Sequence, residues 1–140
     1  MNLDKWDERY LQLAALISSW SKDPRKQVGA VITDNQYVRG VGFNGFPRGV
    51  DDSEFVLNDK GLKNSLMVHA EVNAILCSRG LGDTIYIWPC LPCSQCMGQI
   101  VQAGIKRVVT SKTTQHAKSS WDKDSVYSMA SQVGIKLCFI

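Results

Sequence analysis

Cys93 and Cys96 stand three residues apart in Pro92-Cys93-Ser94-Gln95-Cys96, and His69-Ala70-Glu71 lies upstream. If Cys93 opens a helix, positions i and i+3 share a face, and a helix N-terminus stabilises the thiolate form that binds metal. An imidazole from a second helix start would complete a His/Cys/Cys set around tetrahedral Zn²⁺, with the open fourth position that a catalytic site keeps and a structural site fills. Zinc so held lowers the pKa of a bound water toward neutrality. His69, Cys93 and Cys96 are the expected ligands. Glu71 follows His69 by two positions, about 200° around an ideal helix, so spacing alone does not aim both at one metal. A carboxylate reaching the open position would instead take and return protons. Singly, each residue has a plainer reading: a helix-terminal histidine, a favourable first-turn charge, a redox or structural CxxC. Together they point to catalytic zinc. Cys90-Leu91-Pro92-Cys93 is an overlapping CxxC; Pro92 favours helix initiation at Cys93, which leaves Cys90 on the loop as a neighbour of the site.

These side chains need a frame. Trp6, Tyr10, Leu13, Ile17 and Trp20 recur at steps of three and four, so residues 3–21 are predicted as an amphipathic helix with those side chains facing the core, stopped by Pro24. Val28 to Ile32 and Tyr37 to Phe43 flank an Asp34-Asn35 turn, as in a hairpin. Residues 44–67, rich in Gly, Asp and Asn, are expected to form a long loop, the kind that is often functional. A helix over His69–Ser78, with Val72, Ile75 and Leu76 for packing, precedes a strand at Thr84–Trp88. A helix over Cys93–Ala103, a strand at Lys106–Thr110, a loop at 111–123, a weaker helix over Asp124–Val133 and a strand at Ile135–Ile140 complete the chain. This alternation predicts an α/β fold, a three-layer α/β/α sandwich with a mixed sheet of about five strands, in one domain over residues 1–140.

Sixteen Lys and Arg against thirteen Asp and Glu give a net charge of +3, in a chain that is 44% apolar and 21% charged. No block of five or six like charges is present, so a polybasic nucleic-acid or membrane binder is not expected. No apolar run approaches the roughly 18 residues of a membrane span, and the first residues lack a basic segment followed by an apolar one. A cytoplasmic location follows as the expectation, the host cytoplasm if the chain is viral. In that reducing compartment five cysteines do not read as a disulfide framework; Cys77 and Cys138 are expected to be small buried apolar residues.

His-x-Glu with Pro-Cys-x-x-Cys is the signature of zinc deaminases, in which the Glu is a proton shuttle and not a ligand. The chain resembles the zinc-dependent deoxycytidylate (dCMP) deaminases of the cytidine deaminase-like superfamily, nearly end to end. The resemblance is carried by Ser21-Lys22-Asp23-Pro24, Gln27-Val28-Gly29-Ala30, Gly42-Phe43-Asn44-Gly45-Phe46-Pro47-Arg48-Gly49 with Asp51-Asp52, His69 to Ile75, and Pro92 to Cys96. It implies a cytidine deaminase-like fold and hydrolysis of dCMP to dUMP and ammonia, supplying dUMP for dTTP synthesis. In that chemistry zinc-activated water attacks C4 of the cytosine while Glu71 protonates N3 and then the amine. By the same resemblance Asn44 binds the deoxyribose hydroxyl, and Val28, Gly29, Ala30, Ala70 and the loop through Pro92 read the base. Lys22, Arg25 and Lys26, or Ser111 and Lys112, are the basic and polar candidates for phosphate. Many family members are hexamers activated by dCTP and inhibited by dTTP, with Mg²⁺ accompanying the effector. The effector loop corresponds to Gly42, Phe43, Asn44, Gly45 and Arg48, with Phe43 standing where the family usually has Tyr. The usual Tyr-His pair after the fourth strand is replaced by Thr114-Gln115-His116, with Trp121 the nearest aromatic. Competing readings are a deaminase of another nucleobase, a nucleoside or tRNA adenosine, or a non-catalytic zinc module with Cys90 as fourth ligand.

Overall fold

The computed structural model describes residues 3–112 and 120–140; the expectations for Thr114, Gln115 and His116, and for the Trp121 side chain, lie outside the described residues. Asp4 opens the first helix, α1 (Lys5–Ser18). Its carboxylate accepts the Trp6 and Asp7 backbone N–H groups while Asp7 accepts that of Asp4, a reciprocal cap that satisfies donors the helix cannot use. The buried face of α1 is Asp7, Leu11, Ala14, Ile17 and Ser18, with Tyr10 and Leu13 half-buried against the same core cluster, so the predicted stripe holds at Tyr10, Leu13 and Ile17 and is corrected at its two tryptophans. Trp6 and Trp20 are exposed. The reason is steric: α1 crosses so close to Gly29 that a Cβ there would collide with the Ala14 backbone, and only small residues fit that line of contact.

β1 (Gly29–Asp34) sends Ala30 and Ile32 into one core layer and Val31 into the other, as expected of a short apolar run. Asn35 and Gln36 take positive φ, 49° and 69°, forming the two-residue turn whose twist suits paired strands, and β2 (Tyr37–Phe43) returns antiparallel. The segment expected to be loop contains two short helices, α2 (Glu54–Leu57) and α3 (Lys60–Leu66), the latter capped by Asp59.

α4 (Ala70–Ser78) buries Ala70, Glu71, Ala74 and Ser78, not Leu76, which is exposed. Here too small residues face the sheet: Gly40 and Gly42 of β2 lie so near α4 that a Cβ on either would strike the helix backbone. β3 (Thr84–Trp88) pairs antiparallel with β1. α5 (Ser94–Gln102) leads to β4 (Arg107–Thr110) and α6 (Ser120–Val133) to β5 (Lys136–Phe139), both parallel to β3. α6 starts four residues before the predicted helix.

The sheet order is β2-β1-β3-β4-β5, the mixed five-stranded sheet expected. α4, α5 and α6 pack on one face through Ala74, Met97, Ile100 and Val126, and α1 covers the other through Leu11 and Ile17. Among the described residues no helix is long and apolar enough to cross a membrane. Cys77 is exposed and Cys138 half-buried; the first corrects the expected burial, because Cys77 falls on the face of α4 turned away from the sheet.

Candidate active site

Gly29 pairs with both Phe43 and Trp88, so the start of β1 and the ends of β2 and β3 meet at one edge of the sheet. An isolated bridge between Gly45 and Val68 delivers the chain to α4 at that edge, and the loop leaving β3 delivers it to α5. Two helix N-termini therefore converge. His69 is the N-cap of α4 and Cys93 that of α5, both with extended backbone, φ −70° with ψ 153° and 167° respectively. This resolves the angular problem posed by His69 and Glu71: His69 stands outside the helix, so the 200° of an ideal helix does not separate them.

His69 Nδ1 lies 3.2 Å from Cys96 Sγ and 3.6 Å from Cys93 Sγ, and the three ligand atoms fall within 4.8 Å of one another. Tetrahedral zinc with Zn–S of about 2.3 Å and Zn–N of about 2.0 Å requires N···S near 3.5 Å, so the donor set fits that ion. Neither Cys90 nor Glu71 belongs to this cluster. Cys90 is buried nearby and lines the adjoining cavity. Hydrogen bonding from Cys96 and then the His69 ring hold the Cys93 thiol down at about 3, against burial, which alone would raise it. A thiolate is thereby available to a metal.

The cluster opens onto a cavity of about 570 Å³, within the size range of small-molecule sites. Val28, Asn44, Ala70, Glu71, His69 and Cys93 line it. Glu71 is 5% exposed. Asn44 is held by its own neighbours: its Oδ1 accepts the Val28 N–H and its Nδ2 donates to the Lys26 carbonyl, both at 2.8 Å. Asn73 Nδ2 donates to the Phe43 carbonyl at 2.8 Å, tying α4 to the end of β2 beside Glu71.

Other expected contacts are not brought to the cavity. Lys22 is exposed and pairs with Asp52 at 2.9 Å. Gly29 faces α1, Ala30 is enclosed in the core, and Pro92 is buried; of the loop before Cys93, Cys90 and Leu91 provide the lining. The effector set is split: Gly42 is closed under α4 and Asn44 belongs to the cavity, while Phe43 and Arg48 are exposed. The cavity also takes Asp23, Lys63, Asn64, Met67 and Asp122. Asp23 was visible only as part of a motif; Lys63, Asn64 and Met67 come from the stretch read as loop, and nothing in their local spacing marks them. Asp122 accepts the Ser94 N–H at 3.3–3.4 Å, joining α6 to the helix start that carries Cys93.

The sequence profile of the cytidine and deoxycytidylate deaminase zinc-binding region matches residues 4–112. The chain belongs to this family. This deaminase is 39% identical over 141 residues to an uncharacterized deaminase in the luxG 3' region of Aliivibrio fischeri, with 99% of this chain and 95% of that protein aligned. It is 39% identical to a probable deoxycytidylate deaminase of Caenorhabditis elegans over 74% of this chain, and spans 56% of that protein's length. The structure of the dCMP deaminase of cyanophage S-TIM5 in complex with dCMP and dUMP superposes with a TM-score of 0.76 at 24% identity, covering 100% of each chain. The two share the deaminase fold.

Proposed function

We propose that this deaminase converts dCMP and water to dUMP and ammonia. The observation that carries the reading is the placement of a buried carboxylate, Glu71, in one cavity with the His69/Cys93/Cys96 cluster. The choice of dCMP is supported by the Ser21 to Pro24 and Phe43 to Pro47 motifs and by the relatives, which include deoxycytidylate deaminases.

His69, Cys93 and Cys96 would hold zinc, which when bound would supply Lewis-acid activation of water. The residues do the rest. Glu71 accepts a proton from the attacking water, delivers it to N3 of the cytosine as C4 becomes tetrahedral, and carries the second proton to the departing amine. Ala70, Val28 and Leu91 enclose the base, and Asn44 offers its remaining N–H and lone pair to the sugar. Asn44 binds best as it stands, because its two backbone bonds fix the amide before substrate arrives. Ammonia release measured over dCMP, CMP, deoxycytidine, cytidine and adenosine tests the reading. The highest kcat/KM is expected for dCMP; preference for adenosine or for a free nucleoside would reassign the substrate.

We also propose a hexameric assembly activated by dCTP and inhibited by dTTP, with Mg²⁺ on the effector phosphates. Support comes from the family resemblance and from an exposed aromatic pair, Trp20 and Phe43, set edge to face at 6.1 Å, with Arg48 exposed in the following loop. The effector surface narrows accordingly to Phe43, Gly45 and Arg48. Light scattering with and without dCTP should report six chains per particle, and activity unmoved by dTTP at every substrate level would remove the regulatory reading.

A further inference from the structure

The cavity holds a second charged cluster that deamination leaves unused. Lys63, on α3, has a side chain only 10% exposed, and its Nζ donates to Asp23 Oδ1 at 3.0 Å. Asp23, 5% exposed, accepts the backbone N–H groups of Arg25 at 2.8 Å and Lys26 at 3.1 Å on the same oxygen, so its carboxylate is fixed and cannot swing away from the ammonium. An ammonium carries three N–H groups. Among the described residues Asp23 is the one partner of Lys63. Two of its N–H groups therefore make no bond to the described residues, and Lys63 lines the cavity.

Lys26 and Lys63 are the only ammonium groups among the described residues lining the cavity, and no arginine lines it. A cytosine nucleotide whose C4 sits at the metal cluster and Glu71 must place its 5′-phosphate elsewhere in the same cavity. Of the cations suggested by sequence, half-buried Lys26 lines the cavity, whereas Lys22 and Arg25 are exposed and poor readers of the phosphate, since water and salt screen a surface charge. A buried ammonium acts through a lower dielectric and is far more discriminating. Resting on the reading of the substrate as a nucleoside monophosphate, we propose that Lys63 recognises the 5′-phosphate and separates nucleotide from nucleoside, with Asp23 as the resident counter-charge of its ammonium.

The test compares dUMP with deoxyuridine, which differ only in the phosphate, by calorimetric titration of the zinc-loaded wild type and of Lys63→Met, Lys63→Arg and Asp23→Asn. Lys63→Met is expected to weaken dUMP at least tenfold and deoxyuridine less than twofold, and Lys63→Arg to recover most of the loss. Asp23→Asn keeps the ammonium and both backbone acceptor bonds while removing the counter-charge, so dUMP should bind it no more weakly than it binds the wild type. Equal weakening of both ligands by Lys63→Met, or of neither, overturns the proposal. If Lys63→Met does not fold, Asp23→Asn decides: unweakened dUMP supports phosphate recognition, and a loss shows the ion pair to be a structural latch. Wild type binding both ligands equally would overturn the nucleotide reading itself, ahead of any statement about Lys63.

Discussion

Glu71 and the metal ligands are separable at the level of single side chains, because the carboxylate shares the cavity but not the ligand cluster. Glu71→Ala should lower kcat by about 10²- to 10⁴-fold, the usual contribution of a positioned acid-base group, while zinc content measured by mass spectrometry stays at one ion per chain. Loss of zinc from that variant would make Glu71 a ligand. Cys96→Ala has the opposite signature, since one of three donors is gone: zinc and activity are lost together. The His69/Cys93/Cys96 cluster was legible in the sequence because those residue types are rare and the two thiols stand three residues apart. The Lys63–Asp23 pair was not, because its members are 40 residues apart and a lysine in a polar stretch carries no pattern that announces burial.

Among the elements, the approach of α4 to β2 governs where His69 and Glu71 stand. Gly42→Ala places a methyl group against the backbone of Ala70 and Ala74, and backbone cannot move aside as a side chain can. A destabilisation of about 1–3 kcal/mol is expected from overpacking, read from the urea midpoint, together with a fall in kcat/KM as α4 shifts; an unchanged midpoint would show that the helix yields freely. The strands were readable from their apolar runs, and the hairpin turn to within one residue, falling at Asn35-Gln36 and not Asp34-Asn35. The faces of α1 and α4 were readable only in part, at Tyr10, Leu13, Ile17 and Ile75. Both helices meet the sheet through Ala14 and Ser18, or Ala70, Ala74 and Ser78, and a hydrophobic pattern weights large side chains, whereas close approach selects small ones. His69 and Cys93 were placed inside helices that they in fact cap, a shift of one residue that decides whether the site can assemble.

Across the whole molecule, α1 is anchored to the sheet by a buried polar triad. Arg107 Nη1 and Nη2 donate to the two Asp7 carboxylate oxygens at 2.7 Å, and the Tyr86 hydroxyl donates to Asp7 Oδ1 at 2.8 Å. Burial alone would raise the Asp7 pKa, but the bonds from Arg107, Asp4 and Tyr86 outweigh it and hold the carboxyl below its ordinary 3.8. The unfolded chain thus binds the proton more readily, so this contribution to stability is complete above about pH 4 and is lost as pH falls through the folded-state value. Urea midpoints should decline below that pH, and Asp7→Asn, less stable at neutral pH, should show a shallower decline; an equal slope would contradict the assignment. Arg107→Ala, leaving a buried carboxylate without its counter-charge, is expected to cost about 3–5 kcal/mol.

The proposed reaction is hydrolysis at C4 of dCMP, in a chain whose two helix caps gather the His69/Cys93/Cys96 cluster. The direct measurement is a mass spectrum of the product after incubation of the zinc-loaded protein with dCMP in oxygen-18 water. Expected is dUMP carrying a single heavy oxygen at C4, with one ammonia released for each dUMP formed. Unlabelled dUMP, or dCMP returned unchanged, would contradict it.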